Sequence, residues 1–210
     1  RVTTDPNRPL PLRAQEAYLA KSDSLPAGFD IYIAFSANAQ MLGNLPDGEK
    51  IVILPDEYDY LADGDIIRLQ PKKQALRVLY RRNSPFNSFL VTERCNNYCL
   101  MCSQPPKDQD DSWLVDEILA TIPLIDRGTT EIGLTGGEPT LLGDGFIQIL
   151  QASKSYLPNT SMHILSNGRR FADINFASNY ASVQHPDMMV GIPIYSDLST
   201  VHDYVVQADG

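Results

Sequence analysis

The chain has 210 residues, of which 43% are hydrophobic and 20% charged, and its net charge is −9 at pH 7. That is an ordinary globular composition, long enough for one medium domain or two small ones. The acidic balance argues against general nucleic-acid binding, which needs a basic footprint, and no apolar run approaches the ~20 residues that span a bilayer. Arg77, Arg81 and Arg82 form a modest basic patch that reads as a solvated strand face. The first residues, Arg1-Val2-Thr3-Thr4-Asp5, hold no initiator methionine and no apolar core of a signal peptide, so a longer parent protein is expected.

Residues 1–22 carry Pro6, Pro9 and Pro11 and then a helical-looking patch, Ala14 to Ala20; an N-terminal arm is expected. Residues 23–84 read as a small β-rich domain. Phe29 to Phe35 alternates at period two, Ile51 to Leu54 is a short apolar run closed by Pro55, and Asp63-Gly64-Asp65 is a turn signal. Ile66 to Leu69 and Ala75 to Tyr80, joined through Pro71-Lys72-Lys73, make a hairpin pattern. No catalytic constellation lies in this part, which is expected to pack or to bind a partner.

Arg81-Arg82-Asn83-Ser84-Pro85 is the expected junction, and from it to residue 210 the pattern becomes strand, loop, helix, repeated. Phe86 to Thr92 is the first strand of this half. Trp113, Leu114, Val115, Ile118, Leu119 and Ile122 fall at helical spacing, with Asp111 or Ser112 as N-cap and Pro123 ending the helix. Glu131 to Thr135, Met162 to Leu165 and Met188 to Ile194 are the next strands. Phe146, Ile149, Leu150 and Ser153 mark one intervening helix face, and a short helix spans about 172–181. This alternation implies parallel strands joined by right-handed helical crossovers.

The only three cysteines sit together, as Cys95-Asn96-Asn97-Tyr98-Cys99-Leu100-Met101-Cys102, directly after the first of these strands. The spacing is poor for disulfides and fits a reducing cytoplasm. Thiolates at this density bind soft metals or an iron–sulfur cluster. Three thiolates leave one iron of a four-iron cluster without a protein ligand. The alternative is zinc, whose structural sites close with four ligands. Its fourth would be His163, His185 or His202, none near the triplet. Three further polar segments also follow strands: Gly136-Gly137-Glu138-Pro139, Ser166-Asn167-Gly168 and Tyr195-Ser196-Asp197. In a parallel barrel such ends converge on one face, where active sites are built. Glycines 136 and 137 permit close backbone approach, Glu138 adds charge and Pro139 stiffens the exit.

The triplet spacing, with Gly-Gly-Glu-Pro about thirty-five residues on, resembles the radical S-adenosylmethionine (SAM) superfamily. The resemblance implies a partial (βα) barrel, here four βα units of a usual six. It implies that Cys95, Cys99 and Cys102 hold a [4Fe–4S] cluster whose open iron takes the amino and carboxylate groups of SAM. Reductive cleavage of SAM would then give a 5′-deoxyadenosyl radical. By the same resemblance Gly136, Gly137, Glu138 and Pro139 meet the amino group, Asn167 with Ser166 supplies polar contacts, and Ser196 meets the ribose. Tyr98 and Met101 belong to the same cofactor loop; the family usually has an aromatic residue where Met101 stands.

The longer run Leu90 to Lys107 and the strand Val190 to Asp197 resemble the C-type members of the His-Xaa-Ser system radical SAM maturases. That implies a peptide substrate with His-Xaa-Ser repeats, an electron donor such as flavodoxin or ferredoxin, and other maturation proteins as partners. His202-Asp203 resembles a pair found in peptide-modifying members. A radical SAM enzyme acting on a small molecule or nucleotide, and a non-catalytic iron–sulfur or zinc scaffold, are the alternatives.

Overall fold

A computed structural model describes residues 1–21, 25–44, 50–70, 72 and 75–209. It divides the chain into two units, Arg1–Ser84 and Pro85–Gly210. In the first unit β1 (Val2–Thr3), β2 (Ala17–Leu19), β3 (Ile31–Phe35) and β4 (Lys50–Leu54) form a parallel sheet in that order. A short helix, α1 (Leu10–Arg13), joins the first two strands. Both faces of this sheet are apolar, as a parallel sheet covered on both sides requires. Leu19, Ile33, Phe35 and Leu61 bury on one face, and Tyr18, Phe29, Tyr32 and Leu42 on the other. β5 (Ile66–Gln70) and β6 (Ala75–Tyr80) form the antiparallel hairpin. Its expected turn at Pro71-Lys72-Lys73 lies largely outside the described residues, as does the expected boundary at 22 and 23.

The described residues 1–21 of the expected arm join the sheet. Val2 pairs with Ala17, and Ala17 pairs in turn with Ile31, so the segment supplies two strands of the sheet. The patch read as helical becomes β2 because Tyr18 and Leu19 must bury on opposite faces, which period two provides and period 3.6 does not.

In the second unit β7 (Ser88–Thr92), β8 (Glu131–Gly136), β9 (Ser161–Leu165) and β10 (Met188–Gly191) are all parallel, in spatial order β10-β9-β8-β7. The crossovers run through α2 (Trp113–Thr121), α3 (Asp144–Tyr156) and α4 (Ile174–Val183), and α5 (Ser199–Val206) follows β10. The unit is thus α/β, with its sheet open among the described residues. One sheet face buries Phe89, Val91, Ile132, Leu134, Met162 and Ile164; the helices present Leu114, Ile118, Phe146, Ile149, Leu150 and Phe176.

Three local expectations shift. β10 ends at Gly191 rather than Ile194, since Pro193 has no N–H to continue a ladder. β7 starts at Ser88, leaving Phe86 exposed. The N-cap of α2 is Ser112 in a helical conformation with no side-chain cap, and the Asp111 carboxylate is used elsewhere. Phe146 is fully buried and stacks on Phe176, ring centroids 6.2 Å apart. Phe146→Ala is expected to cost about 3–5 kcal/mol, read as a lowered urea midpoint for the second unit.

Candidate active site

The site begins where β7 and β8 end together. Gly137 N donates to the Thr92 carbonyl oxygen and Glu138 N to that of Arg94, both at 2.8 Å. The strand pairing thus continues past the last ladder residues. Only glycine allows this approach: a β-carbon on residue 136 would overlap the Thr92 oxygen, and one on residue 137 the Arg94 oxygen. Gly136 also sits at φ 150°. The consequence is that Cys95 starts its loop directly against Gly137.

Asp111, 1% exposed, fixes the base of that loop. Its Oδ2 accepts from Thr92 Oγ1 at 2.8 Å and from Glu93 N at 2.5 Å, while Oδ1 pairs with Arg94 Nε at 3.3 Å. Asp111, a candidate N-cap by sequence, is instead buried by this set of donors at the β7 exit. Lys107 is exposed and pairs with Glu93 at 2.5 Å.

Glu138 is equally buried and joins two strand ends. Its Oε1 accepts from Thr140 N at 3.0 Å, Thr140 Oγ1 at 2.6 Å and Ser166 Oγ at 2.8 Å. Its Oε2 accepts from Asn167 N at 2.6 Å. Four donors hold a charge that would otherwise be costly to bury.

Cys95, Cys99, Cys102, Gly136, Gly137, Glu138, Ser166 and Asn167 border one cavity of about 530 Å³. Four segments that follow or end different strands meet there, since Gly191, Ile192 and Pro193 also line it. All three cysteines are free. Burial pushes the Cys95 thiol up; the Asn97 amide, 3.4 Å from Sγ, opposes this, and the Glu138 and Cys99 charges add to it. Cys102 Sγ lies 3.0 Å from the Gln104 carbonyl oxygen.

The remaining expected residues lie off this wall. Tyr98 and Met101 are exposed, 64% and 53%. Pro139 is buried in the first position of a 3-10 turn. Ser196 accepts from Leu198 N at 3.1 Å and so shapes the entry to α5. The histidines considered for zinc are occupied otherwise. His163 pairs with Glu131 at 3.1 Å, His185 contacts Leu157 O and Asp187 N, and His202 Nδ1 accepts from Tyr195 N. No three His, Cys, Asp or Glu side chains among the described residues converge on a single ion position.

Sequence reasoning missed Asp111 as a support and missed Arg169 altogether. Arg169 Nη1 donates to Asn97 Oδ1 at 3.0 Å and to Asn96 O at 3.2 Å. Neither residue carries a spacing signal, because the partners of each lie far away in the chain.

Comparison with known proteins now adds to this geometry. Residues 89–202, more than half of the chain, match the model of the Radical SAM superfamily. The chain belongs to the radical SAM superfamily, whose cofactors are a [4Fe–4S] cluster and SAM. Relatives include Molybdenum cofactor biosynthesis protein 1 of Drosophila melanogaster, 30% identical over 126 residues, 53% of this chain and 21% of that one. GTP 3′,8-cyclase of Actinobacillus succinogenes is 34% identical over 98 residues, 44% of this chain and 29% of that one. The match therefore spans under a third of either relative's length.

The donor set fits the family's cofactors: three free thiols border the same cavity as a half-buried glycine backbone and a fixed carboxylate. Asp111→Ala removes the acceptor for two donors at the loop base. It is expected to cost about 2–3 kcal/mol and to lower iron uptake on anaerobic reconstitution, measured by urea titration and iron assay.

Proposed function

We propose that Cys95, Cys99 and Cys102 ligate the cluster and that Gly136, Gly137 and Glu138 receive SAM beside it, so that the protein runs radical chemistry on a peptide. The observation that carries the cofactor assignment is the single cavity bordered by all three thiols and by the Gly136–Glu138 segment. When bound, the cluster and SAM would supply the hard chemistry, reductive cleavage of SAM coupled to hydrogen abstraction from substrate.

The protein's own contribution is orientation. Glu138 is the one charged side chain on the cavity wall among the described residues. Its carboxylate attracts an ammonium group and repels phosphate. The amides of Gly137 and Glu138 are already spent on Thr92 and Arg94, and the Glu138 carbonyl accepts from Leu141 N at 3.1 Å, so a ligand here would meet glycine carbonyls rather than these N–H groups. Ser166 supports Glu138, and Asn167 Nδ2 donates to Asn96 Oδ1 at 2.7 Å; both steady the wall as well as border it.

The substrate assignment rests on the likeness of residues 90–107 and 190–197 to the His-Xaa-Ser maturases. It brings with it a His-Xaa-Ser repeat peptide, an electron donor such as flavodoxin or ferredoxin, other proteins of that system, and a cytoplasmic setting suited to free thiols. No described helix is long and apolar enough to cross a membrane. A second reading, a nucleotide or other small molecule as substrate, is favoured by the name of the cyclase relative. A non-catalytic scaffold is the third.

Anaerobic reconstitution of the full-length protein is expected to give about four irons per chain and an EPR spectrum changed by SAM. Zinc in place of iron, or a cluster blind to SAM, would sink the cofactor assignment. With SAM and reductant, a His-Xaa-Ser peptide is expected to raise 5′-deoxyadenosine release and to lose or gain mass. Release stimulated by GTP alone would move the assignment to the second reading, and no release with any substrate to the third.

Glu138→Gln leaves one backbone N–H, of Thr140 or of Asn167, facing an amide NH2 instead of an oxygen. Iron content should hold while the SAM concentration for the half-maximal EPR change rises about tenfold or more, corresponding to ~1.4 kcal/mol.

A further inference from the structure

We infer that Arg169 is a positioning residue that sets the cysteine loop from outside the cavity, linking it to the segment that follows α5. The inference rests on the assignment of Cys95, Cys99 and Cys102 to the cluster.

The loop between Cys95 and Cys102 has little of its own to hold it. Its Cys102 N donates to Cys99 O at 3.0 Å, but its two central amides leave the loop. Tyr98 N donates to Val206 O and Leu100 N to Val205 O, both at 3.0 Å. Those carbonyls belong to the last turn of α5, where helix geometry provides no partner of its own. The loop therefore completes the helix end, and the helix end completes the loop.

Arg169 closes this arrangement. One guanidinium nitrogen, Nη1, donates to Asn96 O and to Asn97 Oδ1, and the other, Nη2, donates to Asp209 O at 2.8 Å. A planar fork can span two segments in this way where a lysine ammonium cannot hold both directions at once. Asp209 lies three residues beyond the end of α5, so the fork ties the loop to the segment that leaves that helix. Asn167, two residues earlier, reaches the same loop through Asn96. Asn97 N in turn contacts Cys95 Sγ, so a shift at Asn97 is transmitted to a thiol on the cavity wall.

Arg169 is itself exposed. Exposed hydrogen bonds contribute little to global stability, so the effect of losing them is local. The cysteine loop opens more often while the sheet stays intact. Three thiols on a looser loop still capture iron, because each needs only reach. Recognition of SAM at the open iron needs the loop in one place, and this is the step that Arg169 governs.

The test uses the full-length protein, Arg169→Gln, and Arg169→Lys as the conservative variant. Hydrogen exchange before reconstitution reads the clamp alone. In Arg169→Gln the amides of Tyr98 and Leu100 should exchange about tenfold faster with β8 and β9 unchanged; Arg169→Lys should fall between that variant and wild type. After reconstitution iron content should match wild type, while the SAM concentration for the half-maximal EPR change rises several-fold. Unchanged exchange at Tyr98 and Leu100 overturns the clamp. Faster exchange with an unchanged SAM response overturns its role in SAM recognition. Loss of iron together with faster exchange in β8 and β9 marks Arg169 as merely structural and also overturns it. A wild-type protein whose cluster ignores SAM counts against the proposed function instead, and the exchange result still decides whether the clamp exists.

Discussion

The arrangement depends on one close contact, the approach of the Gly136–Gly137 backbone to the carbonyl oxygens of Thr92 and Arg94. Ordinary strands diverge after their last ladder pair because side chains need room. Here two residues without side chains let β7 and β8 stay together for two residues more. Everything on the cavity wall follows from that. Cys95 begins beside Gly137, Glu138 is delivered to the exit of β9, and the thiols and the carboxylate come to border one space. The two glycines act less as flexible hinges than as a means of removing volume from a crowded crossing.

Glu138 then converts proximity into rigidity. A buried carboxylate is unfavourable unless its lone pairs are filled, and four donors from Thr140, Ser166 and Asn167 fill them. Ser166 and Asn167 are the first residues beyond β9, and Thr140 stands four residues beyond the end of β8. The charge therefore locks two strand exits in register. Asp111 does the equivalent work one strand earlier, tying Thr92, Glu93 and Arg94 at the foot of the cysteine loop. Two buried acids, one on each side of the Gly136–Gly137 crossing, hold the cavity in shape.

Much of this was legible in the sequence because it is written in short-range patterns. The four strands and three crossover helices of the second unit follow from apolar period and from turn residues. The thiol triplet and the Gly-Gly-Glu segment declare themselves by spacing. What was illegible acts at long range through backbone atoms. Arg169 contacts a loop more than seventy residues earlier in the chain, and Asp111 looked like a helix cap because a cap and a loop anchor use the same side chain. In the first unit, Ala17–Leu19 was misread for a related reason. A strand buried on both faces has no polar alternation to reveal it, and three residues are too few to separate period 2 from period 3.6.

Charge separates the two units in a way that bears on what reaches the cavity. Residues 1–84 hold 11 Lys and Arg against 11 Asp and Glu, whereas residues 85–210 hold 6 against 15. The whole net charge of −9 thus belongs to the unit with the cysteines. Inside the cavity the wall repeats that sign through Glu138. A zwitterion can enter such a field ammonium first, because its cationic end gains what its anionic end loses. A triphosphate has no cationic end and meets repulsion both at the surface and at the wall. For a nucleotide to be the substrate, its phosphates would have to be held by cations drawn from outside this wall. A peptide makes no such demand: its backbone is neutral, and any histidines it carries are neutral or positive near pH 7. The described wall therefore favours an ammonium group over a phosphate.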